Sequence, residues 1–182
     1  MNETAIGDVL PAAVLGEAWA LRALYEHLAP QVFGYLRAHG ASEPEDLTSE
    51  VFLAVFPRLA TVTGGPAGLR TFVFSVAHAR LVDDFRRRAR RPDPIEYEPQ
   101  RDPRTVASAE TEALDSIATE EVHAMLAGLP KDQRDVIVLR VVADLTVGQV
   151  AEILGRTVGA IKQLQRRGLL TLKRQFGADV TI

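Results

Sequence analysis

Apolar positions along this chain recur at i, i+3 and i+4 and alternate over no long stretch, a pattern that predicts helices and essentially no sheet. Leu15 to about Leu28 reads as one amphipathic helix. Pro30 is expected to interrupt it, with a second helix from about Gln31 to Ala38 and a stop at Gly40. Ser42 and Glu45 have capping-box spacing. The helix after them, to about Leu59, places Leu47, Val51, Val55 and Leu59 on one face. Thr61 to Gly68 is a turn rich in Gly and Pro, and Leu69 to about Arg90 is a long helix. Phe72, Val73, Val76 and Ala77 supply its inward face, and arginines crowd its end.

The periodicity dissolves from Pro92 to about Asp115, where Pro92, Pro94, Pro99 and Pro103 forbid a continuous helix. It resumes near Ile117 with four expected helices, at about 118–127, 131–143, 147–154 and 157–176, broken at Gly128-Leu129-Pro130 and Gly155. The expected architecture is all-α. An N-terminal segment (1–16) precedes two small helical domains (17–91 and 118–178), which are joined by a flexible acidic linker (92–117).

Charge sharpens this division. The net charge of −3 conceals six arginines between Arg80 and Arg91 and six cations between Arg156 and Arg174. Between them, residues 92–115 carry seven acids against two arginines. Two basic patches on an acidic tether imply a polyanion held at two places, although a basic helix end can also simply complement the helix dipole. The chain has no cysteine, which excludes disulfides and thiolate metal sites. No apolar run is long enough to span a bilayer, and the acidic start, with Pro11 in its apolar part, is unlike a secretory signal; a cytoplasmic protein is expected.

The stretch LTVGQVAEILGRTVGAIKQLQRRGLLTLKR (Leu145–Arg174) carries candidate chemistry. Val147, Val150, Ala151 and Leu154 form one apolar face, Gly155 permits a left-handed turn, and Val158 and Ile161 form the inner face of the next helix. Small Ala151 allows close crossing, as a helix-turn-helix needs. The outward residues Arg156, Thr157, Gly159, Ala160, Lys162 and Gln163 can reach base edges or phosphates, with Arg166 and Arg167 further along on the backbone. A plain helical hairpin with a solvated basic face is the alternative.

EDLTSEVFLAVFPRL (Glu45–Leu59) followed by LRTFVFSVAHARLVDDFRRRARR (Leu69–Arg91) resembles the second conserved region of extracytoplasmic-function (ECF) sigma factors. LPKDQRDVIVLRVVADLTVGQVAEILGRTVGAIKQLQRRGLLTLKR (Leu129–Arg174) resembles their fourth. The resemblance covers about residues 17–91 and 119–176, in family order. It implies a non-catalytic initiation subunit that binds core RNA polymerase, reads the −35 and −10 promoter elements and promotes DNA melting, without a cofactor. It assigns Asp46, Leu47, Thr48, Glu50, Val51 and Phe52 to the β′ clamp helices of the polymerase, and gives the β flap as a second polymerase contact. Thr71, Phe72, Ser75, His78, Ala79, Arg80, Asp83, Arg86 and Arg87 fall on the −10 reader, where cations track a strand and a base leaves the stack. Arg156, Thr157, Gly159, Ala160, Lys162, Gln163, Arg166 and Arg167 fall on the −35 reader. Three departures stand out: Phe72 replaces the usual Trp, Ala79 the usual Asn, and Gly168 the usual Ala. The resemblance also implies that the acidic linker threads through the polymerase, and that an anti-sigma factor acts in trans.

Two other function classes compete. A helix-turn-helix operator binder has no use for the Glu45–Leu59 helix. An enzyme is disfavoured because His27, His39, His78 and His123 are scattered and no phosphate loop or nucleophile–base spacing appears.

Overall fold

The computed structural model describes residues 3–90 and 125–176. Seven α-helices are formed there: α1 (Glu3–Val14), α2 (Ala18–Ala38), α3 (Pro44–Val55), α4 (Gly65–Arg90), α5 (Lys131–Val141), α6 (Val147–Leu154) and α7 (Val158–Phe176). A 3-10 helix, Phe56–Thr61, follows α3, and a helical turn occupies residues 125–127. The acidic linker expected at 92–117 and most of the helix expected at 118–127 lie outside the described residues. Among the described residues no strand occurs, in agreement with the all-α expectation.

The first unit is built by α1–α4. In α2, Leu24, Leu28, Val32, Tyr35 and Leu36 are all buried, following the helical period. Pro30 does not break this helix. It removes one intrahelical bond, to the carbonyl of Glu26, but both residues lie on the exposed side. Burial of Leu28, Ala29 and Val32 on either side offsets a cost of about 3 kcal/mol. The N-terminal segment is also helical, with Pro11 inside α1 and Ile6 and Ala13 in the core; Gly16, at φ +83°, turns the chain into α2. The expected capping box at Ser42 is not formed. Glu43 is the N-cap of α3, Pro44 opens it, and Ser42 Oγ donates instead to Asp84 Oδ1 of α4 (2.9 Å).

The second unit is held by α5–α7. Gly155 takes the left-handed conformation (φ +61°), and its N–H bonds back to the carbonyls of Ala151 and Glu152. Thr146 and Gln149 form a reciprocal capping box at the start of α6, which the sequence reading passed over. Arg134 donates to the carbonyls of Leu126, Ala127 and Leu129, fixing the Gly-Leu-Pro break. Gly168 is buried, and a Cβ there would lie 2.9 Å from Ile137 Cγ1, so close packing of α7 on α5 accounts for a glycine in mid-helix. The two units are in contact: α4 packs on α6 and α2 on α5, and their apolar cores run together.

Candidate nucleic-acid and partner surfaces

The α3 segment presents a narrower surface than its sequence implied. Leu47, Thr48, Val51 and Phe52 are buried, so these four hold α3 in place and do not line its outer face. Phe52 packs edge-on to Tyr25 at 4.8 Å, and Thr48 Oγ1 donates to the Pro44 carbonyl. Asp46 and Ser49 remain exposed and Glu50 half-exposed, with Leu53 beside them at 75% exposure. Leu53 lies off the Leu47, Val51, Val55 and Leu59 face and is not among the residues that the family resemblance assigns to the polymerase. Its position three after Glu50 and seven after Asp46 puts it on their face. Glu50 and Arg80 approach only to 3.9 Å across partly exposed surface, a pair of little energetic weight.

Along α4 and the turn before it, the assigned residues divide by environment. Thr61–Gly64, Ala67, Gly68, Thr71, Phe72 and Ser75 line a cleft whose other wall is Thr146, Gln149 and Glu152. Thr71 is buried; its Oγ1 donates to the Ala67 carbonyl and accepts from Gln149 Nε2, each at 3.0 Å. Phe72 is partly buried against the core, and Ser75 Oγ donates to the Thr71 carbonyl. Ala79 is exposed and Arg80 half-exposed. His78 is not a free surface group: it is half-buried, and its Nδ1 accepts from Tyr35 Oη at 2.8 Å. The adjacent carboxylates point apart. Asp83 is exposed and pairs with Arg86 at 3.4 Å, whereas buried Asp84 holds Arg88 at 2.9 Å along with Ser42. Arg88 also lies over the Phe85 ring and donates to the Gly40 carbonyl, so it is structural. Arg86, Arg87 and Arg90 project from the end of the helix.

The helix-turn-helix places its polar residues outward. Arg156, Thr157, Gly159, Lys162, Gln163, Arg166 and Arg167 are exposed, and Ala160 is half-buried. Thr157 Oγ1 accepts from the Ala160 N–H, capping α7, while Arg156 is engaged by Asp132 Oδ2 at 2.7 Å. Ile161 is fully buried as expected; Val158 is 46% exposed and belongs to the outer face instead. No acid occurs in α7, so Lys162, Arg166, Arg167, Lys173 and Arg174 form an uncompensated basic ridge.

Titration of the buried groups has a clear sign. Burial raises the Asp135 carboxyl, but hydrogen bonds and charge from His39 and Lys131 outweigh this and hold it below its ordinary value. Burial lowers His78, which therefore resists protonation. Burial pushes Tyr35 well above the usual phenol range, consistent with its donating to His78. Above the ordinary histidine value, His78 is neutral in both states. Below it the unfolded chain takes a proton that the folded chain resists, and stability falls. Asp135 contributes stability above the ordinary carboxylate value and loses it as pH falls through its lowered one. Both effects act in one direction, so the thermal midpoint falls as pH drops from 7 to about 3, His78 acting in the upper part, and Asp135→Asn flattens the part below the ordinary carboxylate value. Unfolding followed by circular dichroism checks it; a midpoint independent of pH contradicts it.

Residues 24–91 match the family described as Sigma-70 region 2, and residues 119–172 match Sigma-70, region 4. The chain is 32% identical to the ECF RNA polymerase sigma factor ShbA of Streptomyces griseus, over 93% of this chain and 94% of that protein. It is 31% identical to the ECF RNA polymerase sigma factor SigD of Mycobacterium tuberculosis, over 98% of this chain and 87% of that one. Its fold is similar to CnrH in complex with the cytosolic domain of CnrY (TM-score 0.69, 20% identity, 97% of this chain and 99% of that one). It is also similar to RpoE in complex with the anti-sigma factor NepR from Bartonella quintana (TM-score 0.64, 16% identity, 87% of this chain and 98% of that one).

Proposed function

The chain belongs to the ECF RNA polymerase sigma factors, and from that premise we propose a division of labour among its surfaces. The exposed face of α3, with Asp46, Ser49, Glu50 and Leu53, docks on the β′ clamp helices of core polymerase; acids around one apolar anchor suit a basic helical partner. The cleft before α4 and its outer residues hold the −10 strand, with Arg80, Arg86 and Arg87 following its phosphates. The α7 ridge lies in the major groove at −35: Lys162 and Gln163 near its start reach base edges, and Arg166 and Arg167 hold the backbone. The second unit also meets the β flap, and an anti-sigma factor competes for these surfaces in the cytoplasm. The protein works without a cofactor.

The observation that carries this reading is one chain bearing both an acid-free recognition ridge and a separate acidic-apolar helix face. A DNA-only regulator needs the first and has no use for the second. Reversing Asp46 and Glu50 to Lys is therefore expected to weaken binding to sigma-free core polymerase by tenfold or more, about 1.4 kcal/mol, without altering duplex DNA binding. Leu53→Asp should do the same. Both sites are on the surface, so thermal midpoints should stay close to wild type. Titration against labelled core measures it, and unchanged affinity in both variants would remove α3 from the interface.

A further inference from the structure

We propose that Val158 is a base-reading residue of α7, one that recognises the 5-methyl group of a thymine. The inference rests on the reading above that α7 lies in the major groove. Val158 opens α7 and is 46% exposed, whereas the nearby apolar side chains of Val147, Ile153, Leu154 and Leu164 pack against the core. A branched side chain left open at a helix start adds little to folding, and branching lowers helix propensity. The two polar residues before it are engaged within the chain: Asp132 holds Arg156 at 2.7 Å, and Thr157 Oγ1 accepts from the Ala160 N–H. Val158 is therefore the first side chain of the reading helix that stands open to a partner.

The residue after it has no explanation in the fold either. Gly159 is exposed, is not among the glycines with positive φ, and a Cβ there would meet only Thr157 Oγ1, at 4.0 Å. Alanine would fit and would favour the helix. Gly168, by contrast, is required by Ile137. The space left at Gly159 lies outside the chain, so it serves the close approach of another molecule. Val158 lies one turn before Lys162, and Gly159 one turn before Gln163, so the first turn brings an apolar group beside two that hydrogen-bond. In the major groove thymine alone carries a methyl group, and apolar side chains recognise it by contact. Cytosine in its place would present an N4 donor to a side chain with no acceptor, so the discrimination favours thymine.

The test uses holoenzyme formed from the purified chain and sigma-free bacterial core polymerase, which selects duplexes from a random pool. The upstream motif is the one lost when Lys162, Arg166 and Arg167 are replaced by alanine. Each thymine of that motif is then replaced in turn by uracil, which removes the methyl group and keeps every hydrogen-bonding group. At one thymine or more, uracil is expected to weaken wild-type binding by about threefold, the effect of withdrawing one buried methyl. Val158→Ala should bind the thymine duplex less tightly than wild type and be indifferent to that same uracil. Val158 is exposed, so the variant should keep wild-type helix content. A motif without thymine overturns the proposal. So does a scan in which no uracil weakens wild-type binding, or a Val158→Ala holoenzyme as sensitive to uracil as wild type. Selection that is absent, or that survives the triple substitution, defeats the −35 reading and the proposal with it; a motif that depends on α7 but shows no thymine effect defeats the proposal alone.

Discussion

Replacing Lys162, Arg166 and Arg167 together by alanine is expected to reduce promoter-dependent transcription about 100-fold. The three side chains are exposed on one acid-free helix, so each can contribute about 1 kcal/mol of phosphate or base contact, and the losses add. Removing the two phosphate contacts of Arg166 and Arg167 also flattens the dependence of log K on log salt by about 1.8. Exposed positions outside the core cost little folding stability, so the thermal midpoint should move by no more than a few degrees. Binding isotherms at several salt concentrations separate this account from misfolding. A salt slope unchanged by the triple substitution would mean that α7 does not lie on DNA.

Gly68→Ala is expected to have the largest effect on folding. A Cβ at Gly68 would sit 1.7 Å from the carbonyl oxygen of Thr63 and 2.8 Å from its carbon. These are backbone atoms, so no side chain can swing away, and the turn between Thr61 and Gly65 that leads into α4 must move. A cost of about 3 kcal/mol follows, on the order of 10 °C in the midpoint. Helix propensity alone points the other way, favouring Ala by about 0.5–1 kcal/mol. The sign of the change therefore tests the turn geometry. Gly68 and Thr71 line the same cleft, so the variant should lose strand opening more than binding by α7. A Gly68→Ala protein that melts at or above the wild-type temperature contradicts the geometry.

Local rules were readable where a residue's own neighbours decide its state. The bounds of α6 and the left-handed turn at Gly155 followed from apolar period and glycine placement. Pro30 was misread because a proline penalty of a few kcal/mol was allowed to outrank burial on both sides of it, and the helix of the N-terminal segment was not anticipated. Ser42 was misread because a carboxylate forty-two positions away, on Asp84, outcompeted the local cap. The acidic positions of α3 were legible, but its apolar residues could not be sorted. Leu47 and Leu53 look alike in a sequence, and only packing shows that one is buried and the other open. His78 was assigned to the −10 reader, and its hydrogen-bond partner Tyr35 is similarly remote in sequence. The contact between the two units had no sequence signal, since His39 and Asp135 are ordinary residues until the fold sets them face to face.

The central claim is that one chain joins polymerase to two promoter elements. The measurement that tests it most directly mixes the purified chain with sigma-free bacterial core polymerase and genomic DNA fragments, then maps transcript starts. The account predicts starts sharing two motifs at a fixed separation, the upstream one lost with the α7 triple substitution and all of them lost with Asp46 and Glu50 reversed. Selection of DNA by the chain alone, with no binding to core and no starts, would contradict it.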